Sequence, residues 1–370
     1  MRDGPSSGGA VPEVQMSRYE PRDREALLAF RREHYGQSAA QADPAYVDWQ
    51  FRDAPQIAER GSPLVVARRE EKIIGAQGTI RTFLHLEGRA LRASWVIDFA
   101  VAREFRRAGI GEALGALSRE EGGIRMIIEA ADPARGIAAR AHYDPVCEVP
   151  LLIRPIDPAR WLRSRGVPGA LAWVSGATLP LLAALDARAL KTARSMGVEL
   201  VETRAFDERA DGLFASLSLR YPLICRRDRA WLEWRFERYP QPGRYRLHWL
   251  LRGGEVAGYA VLRPGTHHGA PSGVLVDYLC PPELIPALLG LVIERFRAAG
   301  VAVASCMHLN PFAAGAFRSL GFLRRSSGWR FLVRAGSDAD ASRLQDEKRW
   351  FLTAGDSNVD RDRSQGSPGR

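Results

Sequence analysis

Two periodicities divide the first third of the chain into elements. Pro63-Leu64-Val65-Val66-Ala67-Arg68-Arg69 and Ile73-Ile74-Gly75-Ala76-Gln77-Gly78-Thr79-Ile80 are apolar runs of strand length around the polar turn Glu70-Glu71-Lys72, a pattern that predicts a hairpin. Ser94 to Val101 is a third run of the same kind. Then the period changes. Ile110, Ala113, Leu114 and Leu117 recur at i, i+3, i+4 and i+7, with Glu112, Arg119 and Glu120 elsewhere on the cylinder, so an amphipathic helix begins near Ile110. Ile124 to Ala130 reads as a further strand, giving the order helix, strand, strand, strand, loop, helix, strand.

The loop in that order is Arg106-Arg107-Ala108-Gly109-Ile110-Gly111. Backbone N–H groups at a helix start have no intrahelical acceptors, the helix dipole is positive there, and glycines let the main chain approach an anion closely. A strand-to-helix turn of this composition is built to hold phosphate. Its spacing fits neither G-x-G-x-x-G nor G-x-x-x-x-G-K-[ST], which argues against a dinucleotide fingerprint and a Walker loop. It resembles R/Q-x-x-G-x-G/A, the pyrophosphate loop of the GNAT N-acetyltransferase superfamily. Val101 to Gly111 is likewise similar to that superfamily's V-x-P-x-[YF]-R-x-x-G-I-G run, with Arg103 in place of the usual proline.

The chain also repeats itself. Asp43 to Gln56 can be laid over Asp228 to Gln241 so that Asp, Ala, Trp, Phe, Pro and Gln coincide, Trp49 falling on Trp234. Gly75 then answers to Gly258, Val96-Ile97-Asp98-Phe99 to Leu275-Val276-Asp277-Tyr278, and Asp132-Pro133 to Asn310-Pro311. One domain therefore occurs twice. The run from Asn310 to Phe322 resembles the terminal N-x(n)-A-x-x-[FY]-x-x-L-G-F element of GNAT domains. After Asp277-Tyr278-Leu279-Cys280, however, comes Pro281-Pro282-Glu283, with neither the arginine nor the glycines. Prolines remove donors and Glu283 adds like charge where a pyrophosphate would lie, so only the N-terminal copy is expected to bind a coenzyme.

The resemblance implies an α/β (α+β) fold of two tandem GNAT-like domains, each a mixed, mostly antiparallel sheet flanked by helices. Residues 15–150 are expected to form the first domain and 197–335 a degenerate second one. Residues 1–14, a Gly, Ser and Pro mixture without the apolar core of a secretory signal, read as an unstructured leader. Residues 151–196 read as a connector; within it Gly166 to Leu185 carries no charge, and a connector helix packed on both domains is preferred there over peripheral membrane contact. Interrupting Pro and Gly argue against a transmembrane span. Residues 336–370 form a tail whose Asp-, Ser-, Arg- and Gly-rich part after Gly355 is expected to lack fixed structure, at the latest beyond about 360.

At 370 residues the chain has room for two cores, and its 46% hydrophobic content is that of a globular protein. The formal charge of +10 comes from scattered arginine clusters without interleaved aromatics, which disfavours a nucleic-acid surface. Cys147, Cys225, Cys280 and Cys306 lie far apart with no C-x-x-C pair, so four buried free thiols in a cytoplasmic protein, and no metal site, are expected.

In the reaction the resemblance implies, acetyl-CoA or another acyl-CoA is the cosubstrate, and the acceptor is a small-molecule, sugar or peptide amine. The amides of Arg107, Ala108, Gly109, Ile110 and Gly111, with Arg106 beside them, would hold the pyrophosphate. The strand edge at Phe99, Ala100 and Val101 would pair with the pantetheine and polarise the thioester oxygen. Asp98 is a candidate base, although Asp277 at the equivalent place in the loop-less copy fits a shared structural hydrogen bond equally well. The superfamily's usual acid, a tyrosine, falls here near Ala139; His142 and Tyr143 are the nearest substitutes, and a strand-edge pair is the alternative reading of both. Trp49 and Trp234 read as core or cleft walls. Three functions stay open: an acyl-CoA-dependent N-acyltransferase, an acyl-CoA-binding regulator without catalysis, and a basic nucleic-acid-binding protein.

Overall fold

The structure, a computed structural model, describes residues 13–55, 57–129, 140–169, 178–267, 269–337 and 339–360. Residues 1–12 of the leader, the Asp132-Pro133 repeat match, Ala139, the part of the uncharged run between 170 and 177, and the end of the tail lie outside the described residues; the leader's last residue, Val14, opens a strand.

The first half contains β1 (Val14–Arg18), α1 (Arg24–Tyr35), α2 (Pro44–Phe51), β2 (Leu64–Arg69), β3 (Lys72–Leu86), β4 (Arg89–Val101), α3 (Ile110–Arg119), β5 (Ile124–Glu129) and β6 (Asp144–Glu148). β1 to β4 run antiparallel in sequence order, and β5 joins β4 in parallel. Ile110 and Leu114 bury the apolar stripe of α3 over Gly75, where an added Cβ would lie 3.1 Å from Leu114 Cδ1 and 3.3 Å from Ile110 Cγ2. Any larger residue at 75 would lift the helix, and the loop that precedes it, off the sheet.

β7 (Leu151–Pro155) leaves the first half at once, and α4 (Leu179–Ser195) follows. The second half then repeats the plan with β8 (Val198–Thr203), α5 (Arg209–Leu217), β9 (Leu223–Cys225), α6 (Arg229–Leu232), β10 (Arg246–Arg252), β11 (Glu255–His267), β12 (Ala270–Leu279), α7 (Ile285–Ala298), β13 (Val303–Leu309), α8 (Ala314–Ser319), β14 (Leu323–Arg325) and β15 (Arg330–Arg334). A last strand, β16 (Trp350–Thr353), closes the described chain. The domain occurs twice, as a mixed and mostly antiparallel sheet with helices on its faces.

The two copies trade a strand. β15, from the end of the second half, lies between β5 and β6 of the first, antiparallel to both. β7, from the end of the first half, lies between β13 and β14 of the second, again antiparallel to both. The stretch 151–196 therefore opens with a strand of the second sheet, and 330–334 belongs to the first. The reason lies in connection length: only Val149 and Pro150 separate β6 from β7, so β7 must start beside β6 yet pairs with the other half.

Two further expectations are corrected. The first turns of α4 stand exposed at Leu179, Pro180, Leu181, Ala183 and Ala184, while Asp186, Ala189 and Ala193 pack on the second half, chiefly on α7 and β8. The part of the tail just after Gly355 is interior: Asp356, Ser357 and Asp360 are buried. β16 bridges the halves, pairing in parallel with β9, which pairs with the far end of β3, and antiparallel with β13. Its Trp350, Phe351 and Leu352 are core residues. Polar composition hid this segment because the interior it enters is itself polar.

Candidate functional site

Asp98 breaks the regularity of β4. It has φ +49°, a left-handed value rare for a non-glycine residue inside a strand, and the β3–β4 register slips between Ala76 and Gly78, so one extra β4 residue is accommodated. Such a bulge bends the strand that carries it. β4 and β5 are paired over Ala93–Trp95 against Ile124–Met126, and both strands continue past this stretch without further registered pairs. The result is a fork whose β4 arm is Val96 to Val101, including the predicted edge residues Phe99, Ala100 and Val101.

The phosphate-type loop follows that arm directly. Arg103–Phe105 makes one tight turn, Arg107 and Gly109 take left-handed φ values of +69° and +79°, and Gly109 caps α3. Left-handed positions at a helix start are the elements of concave, anion-binding backbone. Arg106, Arg107, Ala108 and Gly109 are exposed, while Ile110 is buried and anchors the turn. Arg106 reaches back, its Nε donating to Val101 O at 3.3 Å. Burial and then the Arg106 guanidinium hold His34 of α1 below the usual imidazole range.

Tyr143 sits at the vertex of the fork. Its ring packs with Leu332 of β15, with Val96 and Ile127, and with Ala141. Val96 and Ile127 are the residues just past the last registered pair, Trp95 with Met126. Arg119, at the end of α3, lies within electrostatic reach of the tyrosine. His142, with φ +58°, is an exposed turn residue. The structure thus brings Tyr143, the β4 arm and the loop to one end of the first sheet, and leaves His142 facing solvent.

The carboxylate of Asp98 faces inward. Arg31, itself 1% exposed, places both terminal nitrogens 3.4 Å from Oδ2, Tyr46 lies 3.5 Å from the same oxygen, and Asn358 Nδ2 donates to Oδ1 at 3.0 Å. Asp277 repeats the theme: Tyr259 donates at 2.8 Å, Thr353 at 2.7 Å, and Arg227 pairs with it and with Asp356. A shared structural bond at the bulge thus occurs in both copies. What the sequence did not suggest is that the tail supplies partners to both aspartates, Thr353 to one and Asn358 to the other.

In the second half the corresponding fork is filled. β12 and β13 pair over Ser272–Leu275 and Val303–Cys306, and beyond that point β16 pairs with His308 and Leu309. Gly355 N–H donates to Val276 O at 3.1 Å. The chain's own tail occupies here the position that none of the described residues pairs with along β4. Below it the helix α7 starts after Pro281 and Pro282, with Glu283 paired to Arg220 on the surface.

Between the halves lies a small cavity of about 10 Å³, room for about one water molecule, lined by Tyr46, Trp49, Gln50, Arg235, Tyr245, Ser357 and Asn358 among others. Gln50 is fully buried, and neither its amide nitrogen nor its amide oxygen has a partner among the described residues; the same holds for the Ser357 hydroxyl. Groups of this kind cost free energy when buried unpaired, and a single ordered water in the cavity would satisfy them. Through Tyr46 and Asn358 it adjoins the Asp98 network.

No family model matches the chain, and no curated protein matches it in sequence. Solved structures do match. A GCN5-related N-acetyltransferase from Anabaena variabilis superimposes with a TM-score of 0.61 at 11% identity, over 87% of this chain and 73% of that one. One from Kribbella flavida gives 0.55 at 14%, over 89% and 72%. Saccharomyces cerevisiae N-myristoyltransferase with bound myristoyl-CoA gives 0.56 at 13%, over 87% and 80%. The chain has the GNAT fold in tandem.

Among the described residues the four cysteines are free, three of them buried and Cys147 half-buried, and no group of three or more His, Cys, Asp or Glu could hold a metal. No helix among them is long and apolar enough to cross a membrane.

Proposed function

We propose that this protein is an acyl-coenzyme A-dependent N-acyltransferase whose first half holds the cosubstrate and whose acceptor is an amine. The observation that carries this reading is the fork of β4 and β5, open among the described residues and ending in the left-handed Gly109 turn, beside a second fork that the chain itself has filled. The loop from Arg106 to Gly111 would hold the pyrophosphate, and the β4 arm at Phe99 to Val101 the pantetheine. An N–H of that arm would polarise the thioester carbonyl.

In the proposed step the acceptor nitrogen attacks the thioester carbon, a C–N bond forms and the C–S bond breaks. The nitrogen's proton passes to solvent water, and the departing sulfur takes up one proton. Tyr143 at the vertex of the fork is the proposed proton source for the thiolate. Asp98 is proposed to act through Tyr46 and Asn358, holding the cavity side of the bulge in place; its engaged oxygens favour this positioning role over direct proton removal. Most of the rate would then come from proximity and orientation of the two substrates. The acyl group transferred is proposed to be acetyl, with longer chains as the first alternative to test.

Calorimetry with acetyl-CoA and with myristoyl-CoA, followed by thiol release in the presence of an amine library, tests the reading. Heat and acceptor-dependent thiol release are expected. An absence of heat with either thioester overturns it, and heat without thiol release from any amine favours an acyl-CoA-binding regulator.

A further inference from the structure

One face of α1 carries Leu27, Phe30, Arg31 and His34, spaced i, i+3, i+4 and i+7. The first three are buried, and Arg31 reaches from this stripe to the carboxylate of Asp98 at the bulge of β4. His34, one turn further on, is half-buried. Its ring stacks on Phe30 with centroids 5.7 Å apart and meets Tyr35 edge-on at 4.8 Å. The Arg106 guanidinium lies within electrostatic reach of it, and Arg106 donates to Val101 O at the end of the β4 arm. The helix thus runs along the arm from the bulge toward the loop, and His34 stands between the two.

Neither ring nitrogen of His34 is hydrogen-bonded to another described residue. The charged groups that face it are Arg106 from the loop and the exposed Glu33 on α1 itself. Burial and the guanidinium both favour the neutral imidazole, which leaves a lone pair available near neutral pH. Asp98 offers no such lone pair, since Arg31, Tyr46 and Asn358 engage its oxygens.

His34 and Tyr143 lie on opposite faces of the sheet. Along β2, Leu64 and Val66 join the core that holds Leu27 and Phe30 of α1, while Val65 and Ala67 join the one that holds Ile110 and Leu114 of α3. On β5, Arg125 bonds Ser118 of α3, and Ile127, two residues further, packs with Tyr143, which puts the tyrosine on the α3 face. A thioester seated on the arm would have an imidazole on one side and a phenol on the other.

We propose that His34 takes the proton of the attacking amine on its way to solvent, an assignment that rests on the acyltransferase reading above. As the C–N bond forms, the nitrogen's proton moves to a ring nitrogen of His34, and the imidazolium returns it to water. Tyr143 gives its proton to the sulfur from the other face and regains one from water.

The test compares His34→Gln and His34→Ala with the wild type, in calorimetry with acetyl-CoA or myristoyl-CoA and in thiol release at saturating thioester as pH is varied. Wild-type turnover is expected to fall on acidification through a limb below pH 6.5, because His34 is held under the value of a free imidazole. Both variants should melt with the wild type, bind the thioester with wild-type affinity, lose about a hundredfold in turnover near neutral pH, and lose the limb. Added imidazole should restore part of the His34→Ala rate. Unchanged turnover with the limb kept overturns the proposal. So does a loss of rate that leaves the limb in place and that imidazole does not restore, since the ring then acts only by packing. A wild type that gives no heat, or heat without thiol release, overturns the acyltransferase reading and this assignment with it; an active wild type with normal variants overturns the assignment alone.

Discussion

Trp49 and Trp234 clasp each other across the two halves: Trp49 Nε1 donates to Trp234 O at 2.8 Å, Trp234 Nε1 donates to Trp49 O at 3.0 Å, and the rings stack with centroids 4.8 Å apart at 12°. Residues equivalent by sequence repeat thus make one self-reciprocal contact, as a twofold axis requires. Each indole satisfies a buried carbonyl of the other half while filling the space between α2 and the turn Glu233–Glu237.

Trp49→Phe removes one ring hydrogen bond and leaves Trp234 O unpaired, and should cost about 2–3 kcal/mol in urea unfolding. Trp234→Phe should cost a similar amount. The double variant should lose less than the sum of the two, because the clasp is a single unit. Strict additivity would show that the two bonds act independently.

The exchange of β7 and β15 makes the halves interdependent. A fragment ending at residue 196 lacks β15 and should expose the facing edges of β5 and β6, so circular dichroism and thermal melts should show no cooperative transition. Co-expression with residues 197–370 should restore one. A cooperatively folding fragment 1–196 would contradict the exchange.

Gly109 has open space around it but a left-handed φ of +79°. Gly109→Ala should cost about 1 kcal/mol in stability and weaken acetyl-CoA binding modestly by straining the turn. Gly109→Glu should abolish binding by adding bulk and like charge at the helix start. Calorimetry on both variants checks this; unchanged affinity of Gly109→Glu would remove the loop from the site.

Burial holds His308 at about 3, against 6.5 for a free imidazole. Between those values the unfolded chain takes up a proton that the folded chain refuses. This contribution to stability is therefore complete above about pH 6.5 and falls by about 1.4 kcal/mol per pH unit as the medium is acidified toward pH 3. Burial pulls His34, His85 and His248 in the same direction. Unfolding at pH 7 and pH 5 should show His308→Phe losing about 2 kcal/mol less than the wild type across that interval. Equal losses would mean that His308 titrates normally.

The local order of elements was legible because strand and helix periods alternate cleanly from Pro63 to Ala130, and the repeat was legible because Asp43 and Asp228 cap equivalent helices in both copies. The exchange was not. β7 and β15 are short apolar runs, and nothing in such a run says which of two similar sheets it enters. The loop at Gly109 carried its own signal, whereas the fork depends on a positive φ at Asp98, a residue type that tolerates it without announcing it. Tyr143 could be shortlisted, but its place at the vertex depends on Leu332, more than 180 residues away. The tail misled because Asp356 and Asp360 look solvated, and only the interior guanidiniums of Arg227 and Arg263 make them buried residues.

The traded strands also bear on how such a chain can change over generations. Once each half completes the other's sheet, neither can be deleted without opening an edge in its twin, so the second copy is retained by packing whether or not it carries a loop of its own. Drift in the second half is then limited by packing, which leaves its surface freer to change than the strands it shares.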